Sequence, residues 1–273
     1  MDISQIKVVV SDMDGTLLDD SKNVLESSIL AIKKIKEKGL LFGLCTGRDA
    51  NNMANVLIDK WKIKEYVDFI IGCGGAQFYN LKTNECKKTS FLSGDAIKDI
   101  INHYQDLDLN FGIPDNGYLY FPKENRHSIR LSEYDHMTAK YFDVDVYLTE
   151  PKSKVMIVCD KEYMPTVINR SKSFKSKYEV GTPLVTGPIL FEYMHPNVSK
   201  TNGLKIALKD FNLTLDNVLA FGDADNDYDM ILNSKIGVAM INGSDKTKSV
   251  AQYITEQDNN NDGIYNFIVK YFK

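Results

Sequence analysis

Residues 8–18 have the sequence Val-Val-Val-Ser-Asp-Met-Asp-Gly-Thr-Leu-Leu, and this stretch indicates the fold class. The apolar run 8–10 predicts a buried strand, and Asp12 and Asp14 follow it almost directly. A parallel strand brings its carboxyl end to the edge of an α/β sheet where ligands bind. Two carboxylates there can hold a hard divalent cation, and one can attack an electrophile. Because Asp-x-Asp also occurs in calcium loops and ordinary turns, the assignment depends on later segments.

The first and last thirds of the chain alternate between predicted strands and helices. After the first strand, Asn23 to Glu26 matches a capping box that opens a helix, and Gly39 ends that helix. The other predicted strands are 40–44, 67–71, 189–194, 218–221, 236–240 and 253–254, and the other predicted helices are 50–60, 201–210, 227–233 and one from Gly263. This alternation predicts a doubly wound, Rossmann-like parallel sheet with right-handed crossovers.

The middle of the chain has a different pattern. Segments 109–113 and 118–121 flank Pro-Asp-Asn-Gly at 114–117, which is a hairpin signal. A strand at 154–159 and helices near 96–104 and 163–174 complete the pattern. Hairpins together with helices predict an α+β domain inserted into the parallel core. The predicted division is a core at 1–80, an insert at 81–188 and the rest of the core at 189–273.

Composition limits the classes of partner. The chain has 273 residues with 43% apolar content and a formal net charge of -4, so a general nucleic-acid binder with a basic face is disfavoured. A small phosphorylated molecule needs only a local positive site and remains compatible. The four scattered cysteines and the lack of a leader or a ~20-residue apolar span predict a cytoplasmic protein without a membrane segment. No obligate protein partner is evident.

Four pieces at predicted strand ends or helix starts can supply the parts of a phosphoryl transfer. They are Asp12-x-Asp14, Thr46-Gly47, Lys200 and the segment 222–227. Asp12 can act as the nucleophile and form an aspartyl-phosphate. Asp14 can protonate the leaving oxygen and then deprotonate the attacking water. The predicted catalytic residues are therefore Asp12, Asp14 and Lys200.

The same carboxylates predict a magnesium site, because Mg²⁺ prefers oxygen ligands and keeps several waters. Asp12, the Asp223 carboxylate and the backbone carbonyl of Met13 or Asp14 would suffice, and Asp227 would orient a metal-bound water or Lys200. The predicted metal residues are Asp12, Asp14, Asp223 and Asp227.

A further set of residues is predicted to bind the phosphate. The Thr46 hydroxyl and the Gly47 amide can hold a phosphate oxygen at a loop that leads into a helix, and Lys200 offers a point charge. Arg48 is expected to be structural, or part of a surface helix start, and not catalytic. The predicted substrate-binding residues are Met13, Thr46, Gly47, Lys200 and Asn226.

These segments together resemble the haloacid dehalogenase superfamily, in particular its Cof-like group of large-cap sugar-phosphatase-type hydrolases (subfamily IIB). The matching segments are 12–18, Cys-Thr-Gly-Arg at 45–48, Val-Ser-Lys at 198–200, 221–230, Gly-Val-Ala-Met at 237–240 and Asp-Gly at 262–263. The resemblance implies a magnesium-dependent phosphatase with Asp12 as nucleophile and Asp14 as acid/base, and a mobile cap at 81–188 that closes over the substrate. Where the family usually has Asn-Gly-Ala, this chain has Gly74-Gly75-Ala76.

Several alternatives remain open at this point. Candidate substrates are sugar phosphates and, by the breadth of the family, flavin or pyridoxal phosphates. A phosphotransferase such as a sugar phosphomutase would pass the aspartyl-phosphate to a second hydroxyl. A phospho-receiver module is disfavoured because receivers are about half this length and place the phosphorylated Asp on a middle strand. A non-catalytic binding member of the family is disfavoured by the intact set Asp12, Asp14, Lys200 and Asp223.

Overall fold

The computed structural model describes residues 2–272, which form two compact units. The first contains residues 2–87 and 199–272, and the second is Lys88–Val198.

The described residues form fourteen strands and eleven α-helices. The strands are β1 (Val8–Ser11), β2 (Leu41–Cys45), β3 (Phe69–Gly72), β4 (Gln77–Asn80), β5 (Glu85–Lys88), β6 (Asn110–Asp115), β7 (Tyr118–Phe121), β8 (Thr138–Tyr141), β9 (Lys154–Val158), β10 (Leu184–Gly187), β11 (Leu190–Met194), β12 (Val218–Gly222), β13 (Ile236–Ala239) and β14 (Tyr253–Ile254). The helices are α1 (Glu26–Glu37), α2 (Ala50–Asn52), α3 (Ile58–Lys60), α4 (Gly94–Tyr104), α5 (Arg126–Asp135), α6 (Val144–Tyr147), α7 (Met164–Ser171), α8 (Lys200–Asp210), α9 (Tyr228–Asn233), α10 (Asp245–Lys248) and α11 (Gly263–Tyr271). A π-helical segment, Met53–Leu57, joins α2 to α3.

The first unit is built on an eight-stranded sheet with the order β14-β13-β12-β1-β2-β3-β4-β5. The run from β14 to β3 is parallel, and β1 lies centrally, with Val10 opposite Ala220 on one side and Gly43 on the other. Strand β4 is antiparallel to β3. The predicted doubly wound parallel sheet is confirmed, whereas the edge strands β4 and β5 were not predicted.

Helices cover both faces of this sheet because its buried strands are apolar on both sides. In β1, Val9 belongs to one hydrophobic cluster, while Val8 and Val10 belong to another. The first cluster contains buried side chains of α1 and α11, and the second contains buried side chains of α8 and α9. This arrangement leaves the carboxyl ends of the parallel strands to carry the loops that form a site.

The second unit has a six-stranded sheet with the order β10-β11-β9-β6-β7-β8. Its pairings are antiparallel except for β7 with β8. Helices α4 and α7 contribute to the hydrophobic cluster on one face, and Leu131 of α5 belongs to the cluster on the other face. This unit is the α+β insert that the hairpin signals indicated.

The two boundaries of the insert differ from the predicted ones. The first unit extends to residue 87 instead of 80, because β5 continues its sheet. The predicted core strand at 189–194 was wrong as a member of the parallel sheet, since β11 pairs antiparallel with β9 and places Phe191 opposite Ile157. A short apolar strand shows no preference for either sheet in its sequence pattern, so only the pairing decides its unit.

The start of the first helix also differs from the prediction. Helix α1 begins at Glu26 with Leu25 as its N-cap residue, and no side chain caps it. Asn23 instead closes a turn, in which its amide donates to Asp19 Oδ1 and its carbonyl accepts from the Asp19 amide. The predicted helix end is confirmed, because Gly39 adopts φ +73° just after it.

The longest of the described helices has 12 residues, well short of what a bilayer crossing needs, and none of them meets the requirements of a membrane span. The cytoplasmic location stays a prediction.

Candidate active site

Asp12, Thr46 and Asp223 lie at the carboxyl ends of β1, β2 and β12, which are neighbours in the sheet. The Asp12 amide donates to the carbonyl of Phe221, and the Thr46 amide donates to the carbonyl of Ile71. Backbone pairing therefore continues into the loops and holds these residues at one edge. The sequence expectation that these segments converge matches this placement.

Lys200 joins Asp12 and Asp227 in a buried ionic cluster. Its Nζ atom lies 2.5 Å from Asp12 Oδ1 and 2.5 Å from Asp227 Oδ1. The three residues are 2%, 7% and 0% exposed, respectively. Charges this far from water require close partners, and each is paired here.

Lys200 reaches this position through a helix start instead of a strand end. It is the first residue of α8, and the Ser199 hydroxyl oxygen caps the helix by accepting from the Asn202 amide. Glycines allow the close approach of this helix: a Cβ on Gly75, which has φ +118°, would lie 2.1 Å from the Ser199 carbonyl oxygen. A Cβ on Gly203 would lie 2.7 Å from the Cα of Gly75. Gly75 and Gly203 therefore have a packing role that sequence reasoning missed.

Asp227 supports both Lys200 and the loop after β12. Its Oδ2 atom accepts hydrogen bonds from the amides of Asp223 and Ala224, each at 3.0 Å, while Oδ1 accepts from Lys200. Both oxygens are thus engaged by protein donors. This geometry suits the predicted role of orienting Lys200, and direct ligation of a metal by Asp227 stays a prediction.

Asp223 is held against the turn that follows Asp12. The Thr16 hydroxyl donates to Asp223 Oδ1 at 2.6 Å. Gly15, with φ +84°, allows this approach, because a Cβ there would lie 2.5 Å from Asp223 Oδ2. Asn242 donates from its side-chain amide group to the Gly15 carbonyl at 2.8 Å. The turn at 13–16 is therefore tied to the loops after both β12 and β13.

Three carboxylates of this cluster fit a divalent cation. Asp12, Asp223 and Asp227 each offer one oxygen within 4.8 Å of the others. Asp12 and Asp223 each accept a hydrogen bond from a protein donor at Oδ1. Among the described residues, Oδ2 is therefore the oxygen that each has left to bind an ion. Three negative charges face one Lys200, and the excess of two is what a divalent ion would neutralise. Met13 is a weaker backbone candidate than Asp14, because its carbonyl already accepts the amides of residues 16–18.

The close packing of these buried charges shifts the pKa values of the cluster. Burial raises the pKa of Asp12, and the neighbouring Asp227 and Asp223 add to the rise while Lys200 opposes it. Burial likewise raises the pKa of Asp223 to about 6, against a bond from Thr16 that lowers it. For Lys200, burial lowers the pKa, but the attraction of Asp12 and Asp227 exceeds that effect and the pKa lies above its ordinary value. Lys200 is therefore a permanent cation beside the nucleophile candidate.

Asp14 has a different environment from Asp12. Arg48 donates to both of its oxygens, from Nε to Oδ2 at 3.1 Å and from Nη2 to Oδ1 at 3.0 Å. Lys22 Nζ lies 2.7 Å from Oδ1. Burial would raise the pKa of Asp14, but Arg48 and Lys22 outweigh it and hold that pKa below its usual value. The Asp14 side chain is not part of the carboxylate cluster described above, so metal ligation by its carboxylate stays a prediction.

Arg48 and Lys22 are thus site residues that sequence reasoning missed. Arg48 was expected to be structural, although its position in the Cys-Thr-Gly-Arg segment was a signal. Nothing in the sequence pattern marked Lys22.

The residues predicted to bind the phosphate differ in their burial and in their contacts. Thr46 is buried, and its hydroxyl oxygen accepts from the Arg48 amide at 3.2 Å, which leaves the hydroxyl proton to donate. Around Gly47, a Cβ would have no neighbour within 4 Å, so there is open space on that side of the residue. Asn226 is exposed in the helical turn Asp225–Asp227, and the Met13 side chain is buried in the core. The binding roles of Asn226 and Met13 stay predictions.

Comparison with known proteins identifies the family of the chain. Residues 9–268 match the family model of haloacid dehalogenase-like hydrolases. YxeH, a candidate phosphatase of Bacillus subtilis, is 28% identical over 262 residues, covering 93% of this chain and 94% of that protein. The 5-amino-6-(5-phospho-D-ribitylamino)uracil phosphatase YitU of the same organism is 24% identical over 269 residues, covering 97% of each chain.

Solved structures show the same fold. A haloacid dehalogenase-like hydrolase from Bacteroides thetaiotaomicron superposes with a TM-score of 0.85 at 23% identity, covering 97% of this chain and 99% of that one. A sugar phosphatase of haloacid dehalogenase subclass IIB superposes with a TM-score of 0.79 at 19% identity, covering 97% and 98%.

The chain belongs to the haloacid dehalogenase-like hydrolases, since the family model spans nearly all of it. The predicted resemblance, the Rossmann-like core with an inserted domain and the prediction of an enzyme of this type are confirmed.

Proposed function

We propose that the protein is a magnesium-dependent phosphatase that hydrolyses small phosphomonoesters through an aspartyl-phosphate on Asp12. The observation that carries the proposal is the buried cluster in which Lys200 lies 2.5 Å from Asp12 while Asp223 offers a second carboxylate beside it. A carboxylate is a nucleophile for phosphorus when the phosphate charge is neutralised and held in line. Asp12 and Asp223 would hold Mg²⁺, which when bound neutralises charge on the phosphate oxygens.

The chain's own residues divide the reaction into two steps. In the first, an Asp12 oxygen forms a bond to phosphorus, the bond from phosphorus to the ester oxygen breaks, and the protonated form of Asp14 gives its proton to the departing alkoxide. In the second, water attacks phosphorus, its proton passes to the Asp14 carboxylate, and the bond between Asp12 and phosphorus breaks to release phosphate. Lys200 and the Thr46 hydroxyl stabilise the charge on the transferring group.

The substrate class rests on the relatives and on the second unit. YitU is named as a phosphatase of a phosphoribitylamino compound and a structural neighbour as a sugar phosphatase, which supports a small polyhydroxylated phosphomonoester. We assign the choice among such substrates to the inserted unit, Lys88–Val198, because the first unit already contains the groups that act on the phosphate. The net charge of -4 argues against a nucleic-acid substrate.

Phosphate release from a panel of phosphorylated metabolites tests the proposal. We expect release from some members with Mg²⁺ and none with a chelator. Asp12→Asn should abolish release while the protein stays folded, since the amide keeps the shape but removes the nucleophile and a metal charge. Near-normal turnover by pure Asp12→Asn protein would overturn the nucleophile assignment, and chelator-insensitive turnover would overturn the metal requirement.

A further inference from the structure

The side chains of Arg48 and Lys22, which come from different segments, both bind the carboxylate of Asp14. Arg48 binds it through both oxygens, and Lys22 adds a third contact at 2.7 Å. We propose that Lys22 is a positioning residue that, with Arg48, holds Asp14 in the orientation needed for proton transfer to the leaving group. The inference rests on the proposed function, in which Asp14 is the acid and base.

The two cations approach Asp14 from different environments. The Arg48 side chain is 10% exposed and supplies a rigid bidentate contact from the protein side. The side chains of Lys22 and Asp14 are 42% and 36% exposed, so Lys22 pairs with the carboxylate on its solvent-exposed side. A half-exposed carboxylate on a turn would otherwise sample several rotamers. Contacts on both sides restrict that freedom, although an isolated surface ion pair adds little to stability.

The backbone of Lys22 is itself fixed in place. Lys22 has φ +62°, a left-handed conformation that is unfavourable for a residue with a Cβ. Its amide donates to the Asp19 carbonyl, and its own carbonyl accepts from the indole Nε1 of Trp61 at 3.0 Å. Trp61 is 7% exposed and is the single tryptophan of the chain. A buried indole therefore anchors a strained turn whose side chain reaches the acid/base residue.

The position of Asp14 matters most where the leaving group is poor. An alkoxide needs a proton as its bond to phosphorus breaks, whereas a 4-nitrophenolate leaves without one. The quantity kcat/KM reports steps up to the first irreversible one, so it isolates formation of the aspartyl-phosphate from its hydrolysis. A positioning role for Lys22 thus predicts a loss in kcat/KM that depends on the leaving group.

The experiment compares Lys22→Met and Lys22→Arg in the full chain with Mg²⁺, using an alkyl phosphate that the wild type hydrolyses and 4-nitrophenyl phosphate. We expect Lys22→Met to lower kcat/KM for the alkyl phosphate by about tenfold, mainly through kcat, since misplacing a catalytic group by ~1 Å costs up to ~100-fold. The value for 4-nitrophenyl phosphate should change by less than about twofold. Lys22→Arg should restore most of the alkyl activity.

Lys7→Met is the matched control, because Lys7 is exposed and precedes the opposite end of β1. It should leave both substrates unaffected. Trp61 fluorescence should be the same in Lys22→Met and wild type, showing that the turn persists.

Three results would overturn the inference: an equal loss on both substrates, a loss confined to KM, or no loss on the alkyl phosphate. Wild-type protein that releases no phosphate from any member of the metabolite panel would instead refute the proposed function, and the inference with it.

Discussion

Asp12 and Asp14 are two residues apart, yet the structure gives them opposite surroundings. Asp12 is buried beside two other carboxylates and one lysine, and burial raises its pKa. Asp14 is half-buried between Arg48 and Lys22, which lower its pKa against the effect of burial. The Asp12 side of the site carries excess negative charge suited to a metal and a nucleophile. The Asp14 side carries excess positive charge that holds the carboxylate proposed as acid and base, so the two acids of one motif are suited to two chemical tasks.

Removing Lys200 should break the Asp12 side most severely. Lys200→Met leaves Asp12 and Asp227 buried without their cation, and losing one partner of a buried pair costs about 3–5 kcal/mol. We expect a loss of about that size in the free energy of unfolding, measured by urea denaturation. Turnover should fall by at least ~100-fold, because an electrostatic group beside the reacting atoms is lost.

Lys205→Met provides the comparison for that variant. Lys205 lies exposed on the same helix, so its change should leave stability within about 0.5 kcal/mol of wild type and turnover unchanged. A similar effect of both variants would mean that α8 tolerates no change and that the buried cluster has no special role.

Asp14→Asn should separate the two sides of the site. Turnover of alkyl phosphates should drop by about 10²–10⁴, the usual worth of general acid–base catalysis. The free energy of unfolding should change by less than about 1 kcal/mol, since the contacts of Asp14 are partly exposed. Mg²⁺ affinity, measured by calorimetry, should persist. Loss of Mg²⁺ binding would show that the Asp14 carboxylate is a metal ligand, and unchanged alkyl turnover would remove its acid/base role.

The smallest expected effect is a pH dependence of stability without metal. Asp223 has its pKa raised to about 6, so the folded state keeps a proton that the unfolded chain releases near pH 4. The stabilisation of the folded state by this proton is therefore complete below about pH 4 and is lost as the pH rises through about 6. The loss is at most about 3 kcal/mol, by the conversion of about 1.4 kcal/mol for each pH unit.

Thermal melts between pH 4.5 and 7.5, with chelator and with Mg²⁺, measure this effect. The chelated protein should lose stability relative to the Mg²⁺-loaded protein as the pH rises, because a bound ion neutralises the carboxylates. In Asp223→Asn, the difference in stability between chelated and Mg²⁺-loaded protein should depend less on pH. A chelated protein whose stability relative to Asp223→Asn does not change with pH would contradict the crowding of charges around Asp12.

Much of the parallel core was predictable because buried strands and amphipathic helices have distinct periodicities. The ends of β1, β2 and β12 lie close to their predicted positions, so Asp12, Thr46 and Asp223 were found from local sequence. Lys200 was also found, because a helix was predicted to start beside it, although the strand before it, β11, belongs to the second sheet and not to the predicted parallel core. The capping box at Asn23 was wrong because that residue closes the turn that carries Lys22.

The amino-acid sequence by itself determined the fold class and the chemical groups of the site, because both follow from short-range patterns: apolar runs, and carboxylates placed directly after them. Only the tertiary structure decided the partners of those groups. The contact of Arg48 with Asp14, the packing of Gly75 against α8 and the pairing of β11 with β9 join segments that are well separated in the chain. Lys22 reaches Asp14 from only eight residues away, but through a turn that the sequence pattern did not mark. Such contacts depend on which surfaces meet after the helices and strands have formed, and periodicity carries no information about that.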